Sequence, residues 1–443
     1  MLKRIPNFDT MVSVIRDLIR IDSVESKVTP LKPFGDGCAE ALDFTLGVLH
    51  DFSFNTKNLD NYCGYAEIGE GELVGVLGHL DVVPVGPGWS FPPFAAELHD
   101  GKIYGRGAVD DKGPTVVSIF AAAKLLNEGY IPKKRLRFIL GCDEESGWKC
   151  MEHYAKTEEI PAIGFSPDAD FPVINCEKGI VRYRMSMPIP HGFFEISGGT
   201  RSNVVPDIAV ARIDLQLYES LKHAINKLDN DNILIDQSKD QSSVTITTRG
   251  KSAHASTPYD GDNAIIKLLS ILGETNSELL NISRAFSSYD GSCCNLNLSD
   301  SKSGALTLNL GTVSIINAQL VFELDIRFPV SISKGLLINV LKNKLKFLTI
   351  NEIDGHDPLF VDQNDPLVKT LLNAYDKVMF TKSKPITIGG GTYARFLPHG
   401  VAFGPSFPDT VSVVHQKDEC ISLKDLALAF DIYYEALKNL VFK

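Results

Sequence analysis

The sequence predicts an α/β protein, with a mixed, largely parallel sheet in one domain that is interrupted by an inserted α+β domain. Three observations predict it. In the first part of the chain, apolar strand-like runs alternate with helix-like segments, the pattern of a sheet joined by helical crossovers. From about Val181 the texture changes to successive strand-like runs with few helices among them, which suits an antiparallel sheet. After about Asp357 the first texture returns. The boundaries that follow are residues 1–180 and 358–443 for the α/β domain and 181–357 for the insertion. A chain of 443 residues is long enough to build two cores.

The elements follow in order. Near the N-terminus, Met11, Val12, Val14, Ile15, Leu18 and Ile19 recur at helical spacing and mark an amphipathic helix. The basic pair Lys3-Arg4 before it is followed by no apolar signal core or small-residue cleavage site. Leu73 to Gly78 is a strand. Pro114 begins a helix whose body runs from Thr115 to Leu126 and fades at Asn127-Glu128-Gly129. Arg135 to Gly141 and Ala162 to Phe165 are the next strands. In the insertion, Arg182–Met187, Asp207–Gln216, Ser243–Gly250, Ala305–Ser314 and Val321–Pro329 read as strands, with helices over Asp262–Asn276 and Lys334–Phe347. Alternation puts Leu324, Ile326 and Phe328 on one face of a strand and Glu323, Asp325 and Arg327 on the other. Two helices, Val368–Met379 and Lys424–Leu440, complete the chain.

Composition narrows the function. The net charge is −11 and no basic block is visible, which argues against a nucleic-acid partner. No apolar run approaches the roughly 18 residues of a membrane span, so the expected place is the cytoplasm. The eight cysteines are scattered without a CxxC pair, and Cys293-Cys294 is a vicinal pair. They read as buried thiols rather than disulfides or zinc knuckles.

The chemistry-bearing residues cluster where strands end. His79, Glu144, Glu145 and Asp168 each follow an apolar run, and sites in parallel α/β sheets gather beyond the carboxyl ends of the strands. In His79-Leu80-Asp81 the imidazole can bind a metal while Asp81 holds the other ring N–H; a surface turn fits equally. In Gly105 to Pro114, three close glycines permit a sharp backbone. There Asp110 can bridge two metals while Asp111 caps the following helix. Glu144 and Glu145 would repel if buried together. A dication resolves this by ligating one and leaving the other as general base; a solvated acidic turn is the alternative. Asp168 and His415, each taken alone, also fit a turn residue and a structural histidine. His254 sits in a small-residue turn, and Arg327 projects from a polar strand face. They could donate to an oxyanion and hold a substrate carboxylate, or serve as a loop histidine and a surface ion pair. The Gly389-Gly390-Gly391 run lacks the P-loop lysine and the GxGxxG spacing, yet can bring backbone N–H groups to a small anion.

Taken in order, GHLDVVP, GRGAVDDKGP, GCDEESG, FSPDADFP, SGGTRSNVVP, GKSAHASTP, DIRFP, GGGTYAR and VVHQKDE resemble the metallopeptidase family of carboxypeptidase G, the desuccinylases and deacetylases of amino-acid metabolism, and the PepV-type dipeptidases. The DDKGP form, the FSPDADFPVINCEKG stretch and the long insertion are most similar to the PepV-type members. The resemblance implies one metal held by Asp110, Glu145 and His415, and a second held by His79, Asp110 and Asp168. It implies Asp81 as the buttress of His79, Glu144 as general base, and a cis peptide after Asp110. It further implies Asn203 and His254 at the scissile carbonyl or its oxyanion, and Arg327 with backbone near Gly390 and Gly391 at the terminal carboxylate. His254 and Arg327 fall on the inserted lid domain, so closure of the domains would complete the site.

The expected activity is therefore hydrolysis of dipeptides with a free C-terminal carboxylate by a monomer carrying two divalent ions. Zinc is the first choice and manganese or cobalt follow, since imidazole and carboxylate ligands without thiolate admit all three. An N-acyl-amino-acid deacylase on the same scaffold is the alternative. A non-catalytic peptide or amino-acid binder is disfavoured, because a binder needs no base at Glu144.

Overall fold

The computed structural model describes residues 6–225, 232–238 and 242–443, which leaves the basic pair Lys3-Arg4 outside the described residues. It divides into two units. One comprises Met1–Asn175, Val361–Ile386 and Thr392–Lys443; the other comprises Cys176–Phe360 and Thr387–Gly391.

In the first unit, three of the described helices begin at a capping side chain. Asn7 accepts from Thr10 N–H at the start of α1 (Phe8–Ile19), Asp365 accepts from Leu367 N–H at α5 (Pro366–Met379), and Ser422 accepts from Asp425 N–H at α6 (Leu423–Leu440). Between α1 and α5 lie α2 (Asp36–Asp51), α3 (Lys112–Asn127) and α4 (Lys149–Thr157). No sequence expectation covered α2 or α4. The α2 segment follows Gly35 with no side-chain cap, so the usual start signal is missing. The helix expected from Pro114 starts earlier, at Lys112.

The sheet of this unit contains β1 (Asn55–Leu59), β2 (Cys63–Ile68), β3 (Leu73–His79), β4 (Arg135–Gly141), β5 (Ile163–Ser166) and β7 (His399–Ala402), together with β6 (Ile174–Glu177), whose last two residues are counted with the other unit. Their spatial order is β1-β2-β4-β3-β5-β7-β6. The middle of the sheet, β4-β3-β5-β7, is parallel, and its flanks are antiparallel. Every residue of β3 is buried, as expected of a parallel strand covered on both faces. Helix α3 is buried along most of its length and packs against α1 and α6.

The second unit is built on an eight-stranded antiparallel sheet. Its strands run Ile233–Gln237, Ser243–Arg249, Ile208–Asp214, Phe193–Gly198, Thr307–Ile316, Gln319–Phe328, Gly179–Pro188 and Thr349–His356 across the sheet. The strand expected over Asp207–Gln216 stops at Asp214, where helix Leu215–Ile225 begins. The single helix expected over Asp262–Asn276 is shorter, Ala264–Leu272, and Asn276 instead caps a following helix, Ser277–Ala285. Part of the weakly patterned stretch from Glu219 to Val244 lies outside the described residues.

The alternative reading of Arg327 as a surface ion pair does not hold. The charged face of Gln319–Phe328 does not look to solvent: Asp325 and Arg327 are 0% and 3% exposed. They satisfy each other, with Arg327 Nε and Nη2 donating to Asp325 Oδ1 and Oδ2 at 2.6 and 3.0 Å. Alternation reports two faces but does not say that the polar one is wet.

All eight cysteines are free thiols and six are buried. Among the described residues, no helix is long and apolar enough to cross a membrane.

Candidate metal centre

Three neighbouring parallel strands deliver the first candidate ligands. His79 ends β3 and lies in register with Gly141, the last residue of β4. Leu80 N–H donates to Gly141 O at 2.9 Å, which locks the two ends together. Glu144 and Glu145 follow β4, and Asp168 follows β5. The loop before α3 brings Asp110, and the Asp110–Asp111 peptide is cis. His415, with φ of 62°, comes from the loop ahead of α6.

Gly78 makes this convergence possible. A Cβ there would meet Thr115 Oγ1 at 1.9 Å and Asp111 Oδ2 at 2.8 Å. The space admits the Asp111 carboxylate, whose Oδ2 accepts from His79 N–H at 3.1 Å and from the Thr115 hydroxyl at 2.7 Å. Asp111 occupies the cap position of α3 but makes no side-chain cap bond. The capping role expected for it is therefore replaced by a tie between α3 and β3.

Asp110 stands between the two histidines. Its Oδ1 is 2.9 Å from His79 Nε2, and its Oδ2 is 2.9 Å from His415 Nε2. His79 Nε2 is also 3.5 Å from Asp168 Oδ2, and His415 Nε2 is 3.0 Å from Glu145 Oε1. Ligand atoms of His79, Asp110 and Glu145 lie within 4.8 Å of one another, as do those of His79, Glu144 and Asp168. Asp81 supports His79 through its backbone. Its backbone O is 3.0 Å from His79 Nδ1, with the carboxylate Oδ1 farther away at 3.6 Å. Asp81 Oδ2 accepts from Glu145 N–H at 3.1 Å, which links the β3 end to the acidic turn.

The electrostatics call for added positive charge. Burial pushes Glu144 well above the usual carboxylate range, and Asp168 and Glu145 push it further against the pull of His79. Burial and Asp110 raise Glu145 to about 7. Burial, reinforced by Asp110, raises Asp168 as well. Asp110 moves the other way: its two imidazole partners overcome burial and hold it below the ordinary range. Burial disfavours the charged imidazoles, yet the surrounding carboxylates raise His79 well above its ordinary value and His415 to about 11. Among the described residues, the buried oxygens Asp81 Oδ1 and Asp111 Oδ1 have no hydrogen-bond partner. A dense set of imidazole and carboxylate donors, short of cations, fits divalent ions such as zinc, manganese or cobalt.

The remaining candidate residues belong to the second unit. Ala255 N–H donates to Asn203 O at 2.9 Å, and His254 forms a β-bridge with Val204, so Asn203 and His254 sit side by side. His254 is exposed, with Nδ1 2.7 Å from Ser256 Oγ. Arg327 Nη1 donates to Gly389 O at 2.9 Å, which sets Arg327 beside the run that contains Gly390 and Gly391. The guanidinium has five N–H groups, and Asp325 and Gly389 take three. Its fork is thus largely committed inside the protein.

Sequence reasoning missed the residues that hold this centre in place. Glu419, 0% exposed, accepts at Oε1 from Val109, Gly107 and Asp110 N–H at 2.9, 3.1 and 3.3 Å. Its Oε2 accepts from Arg106 Nη1 at 2.6 Å. Trp148 Nε1 donates to Glu144 O at 3.0 Å. Tyr393 packs edge-on to His79 at 6.1 Å between ring centroids, against a glycine, Gly141, where a Cβ would lie 2.4 Å from its hydroxyl. The available signal was position: each lies within or beside a motif that carries a candidate site residue.

The model of peptidase family M20/M25/M40 matches residues 75–439. The chain is 38% identical over 459 residues to the protein named "Putative dipeptidase YtjP" in Bacillus subtilis (strain 168), covering 98% of this chain and 97% of that one. The structure of human carnosine dipeptidase 1 covers 98% of this chain and 97% of its own, with a TM-score of 0.61 at 15% identity. That of the di-peptidase Dug1p from Saccharomyces cerevisiae covers 96% of each, with a TM-score of 0.57 at 15% identity. At these identities the two structures show a shared fold. The match over most of the chain makes this protein a member of peptidase family M20/M25/M40, a metal-dependent hydrolase.

Proposed function

We propose that this protein is a PepV-type dipeptidase that cleaves the peptide bond of dipeptides with a free C-terminal carboxylate. The observation that carries the reading is the placement of Asp110 between His79 and His415. In this reading Asp110, Glu145 and His415 hold one divalent ion, and His79, Asp110 and Asp168 hold the other, with zinc first and manganese or cobalt next. When bound, such a pair supplies Lewis acidity and lowers the pKa of water toward about 7.

The chain's own residues supply the rest. Glu144, beside His79 and Asp168, takes the proton of the attacking water at its carboxylate and returns it to the leaving amine nitrogen. Burial raises its proton affinity, which suits both transfers near neutral pH. Asp81 orients the His79 ring and steadies the turn that carries the base. Asn203 and His254 are assigned to the scissile carbonyl and its oxyanion. Arg327, with backbone at Gly390 and Gly391, is assigned to the terminal carboxylate. The adjacency of Asn203 to His254 and of Arg327 to Gly389 supports these pairings.

Small peptides are the proposed substrates and the monomer the proposed active form. The test is a panel of dipeptides, tripeptides and N-acetyl amino acids, assayed after chelation and readdition of zinc, manganese or cobalt. Dipeptides should be turned over fastest, and only with metal restored. Faster release of acetate than of amino acids would transfer the assignment to a deacylase, and metal-independent turnover would remove the mechanism.

A further inference from the structure

The loop that carries Asp110 is wrapped around an internal anion. Three of its backbone N–H groups, from Gly107, Val109 and Asp110, converge on one oxygen of Glu419. The other oxygen receives Arg106 from the same loop. Arg106 and Glu419 are 1% and 0% exposed, and the Arg106 guanidinium lies 5.3 Å from the Trp89 ring. The backbone O of Glu419 also accepts from Gly105 N–H at 2.9 Å. The loop is thus held by Glu419 at both its backbone and its side chain.

The chain position of Glu419 gives this clamp a second end. It closes the short segment that starts at His415, and β-pairing of Cys420–Ser422 with Lys102–Tyr104 fixes that segment beside the Asp110 loop. One carboxylate therefore sets both the Asp110 backbone and the approach of His415, whose Nε2 meets Asp110 Oδ2. A buried ion pair is weak evidence for stability as such, since desolvation offsets much of the attraction. Its geometry here accounts for placement: a neutral acceptor would still bond the three N–H groups, but would lose the charge that draws them and Arg106 onto one point.

We propose that Glu419, clamped by Arg106, is a positioning residue that preorganises Asp110 and His415 for metal binding. The inference rests on the reading of Asp110 as the shared ligand of two ions. Partners that orient ligands from behind characteristically contribute about 10–100-fold to metal affinity.

The test is calorimetric titration of zinc and manganese into metal-free protein, beside thermal unfolding of the same metal-free samples. For Glu419→Gln, the expected result is a folded protein whose metal affinity falls about 10–100-fold, with activity returning as metal is raised. Arg106→Gln, which leaves Glu419 in place, should shift affinity in the same direction by less. If either variant fails to fold, the other carries the test. A folded variant that binds metal as tightly as wild type, even with a lowered Tm, would show a merely structural role and overturn the proposal. Wild-type protein that takes up no metal would instead overturn the metal-centre reading on which it rests.

Discussion

Asp110 and His415 meet at 2.9 Å between Oδ2 and Nε2, although one precedes the inserted unit and the other follows it. The centre is therefore complete only when both segments of the first unit are folded together.

Glu144 is the residue whose chemistry separates a hydrolase from a binder. Glu144→Gln keeps the shape and removes the proposed proton acceptor. The expected loss in kcat is about 10²–10⁴-fold, with metal content unchanged by elemental analysis. Near-normal turnover in that variant would rule Glu144 out as the base.

Chelation should destabilise the protein as well as inactivate it. Ions that bind the folded form alone stabilise it by about 4 kcal/mol for a site held at a thousand times its Kd. Thermal unfolding with and without chelator should show a large fall in Tm that readdition of zinc reverses. An unchanged Tm would mean that the acidic cluster holds no tightly bound ion.

Gly78→Ala places a methyl group where Thr115 Oγ1 and Asp111 Oδ2 now lie. Crowding of this kind costs about 1–3 kcal/mol, and here it also displaces the carboxylate that holds His79 N–H. Denaturant unfolding should show the loss of stability, and metal titration a weaker site. A variant with wild-type stability would show that the α3–β3 contact yields easily.

Arg327 has a structural role whatever it does for substrate. Arg327→Met leaves Asp325 buried beside Arg182, its remaining ion-pair partner among the described residues, and loss of a buried pair's partner costs about 3–5 kcal/mol. Chemical denaturation measures this. A loss below about 1 kcal/mol would show that Arg182 compensates. A rise in KM for dipeptides, with kcat held, would be the separate signature of carboxylate recognition.

Much of this was legible in the residues. The runs before His79, Glu144 and Asp168 are apolar because β3, β4 and β5 are buried between layers, so polar residues just past them had few places to go but a common edge. His415 could be grouped with them only through the ordered motifs, since it follows no strand of that sheet. The clamp escaped notice because Arg106 and Glu419 lie in polar loops, where single charges read as solvated. For Asp325 and Arg327 the sequence could not report burial: strand periodicity separates two faces, but burial of the charged one depends on what packs against it.

The pairing of β7 with β5, His399 opposite Ile163, has a consequence for synthesis. Throughout translation of the second unit, β5 carries an unpaired edge whose hydrogen-bonding groups await a strand not yet made. Such edges attract foreign strands, and long-range parallel pairing forms slowly. The nascent polypeptide is thus expected to engage chaperones on the ribosome until β7 emerges, while the intervening antiparallel sheet matures ahead of the sheet that encloses it in the gene.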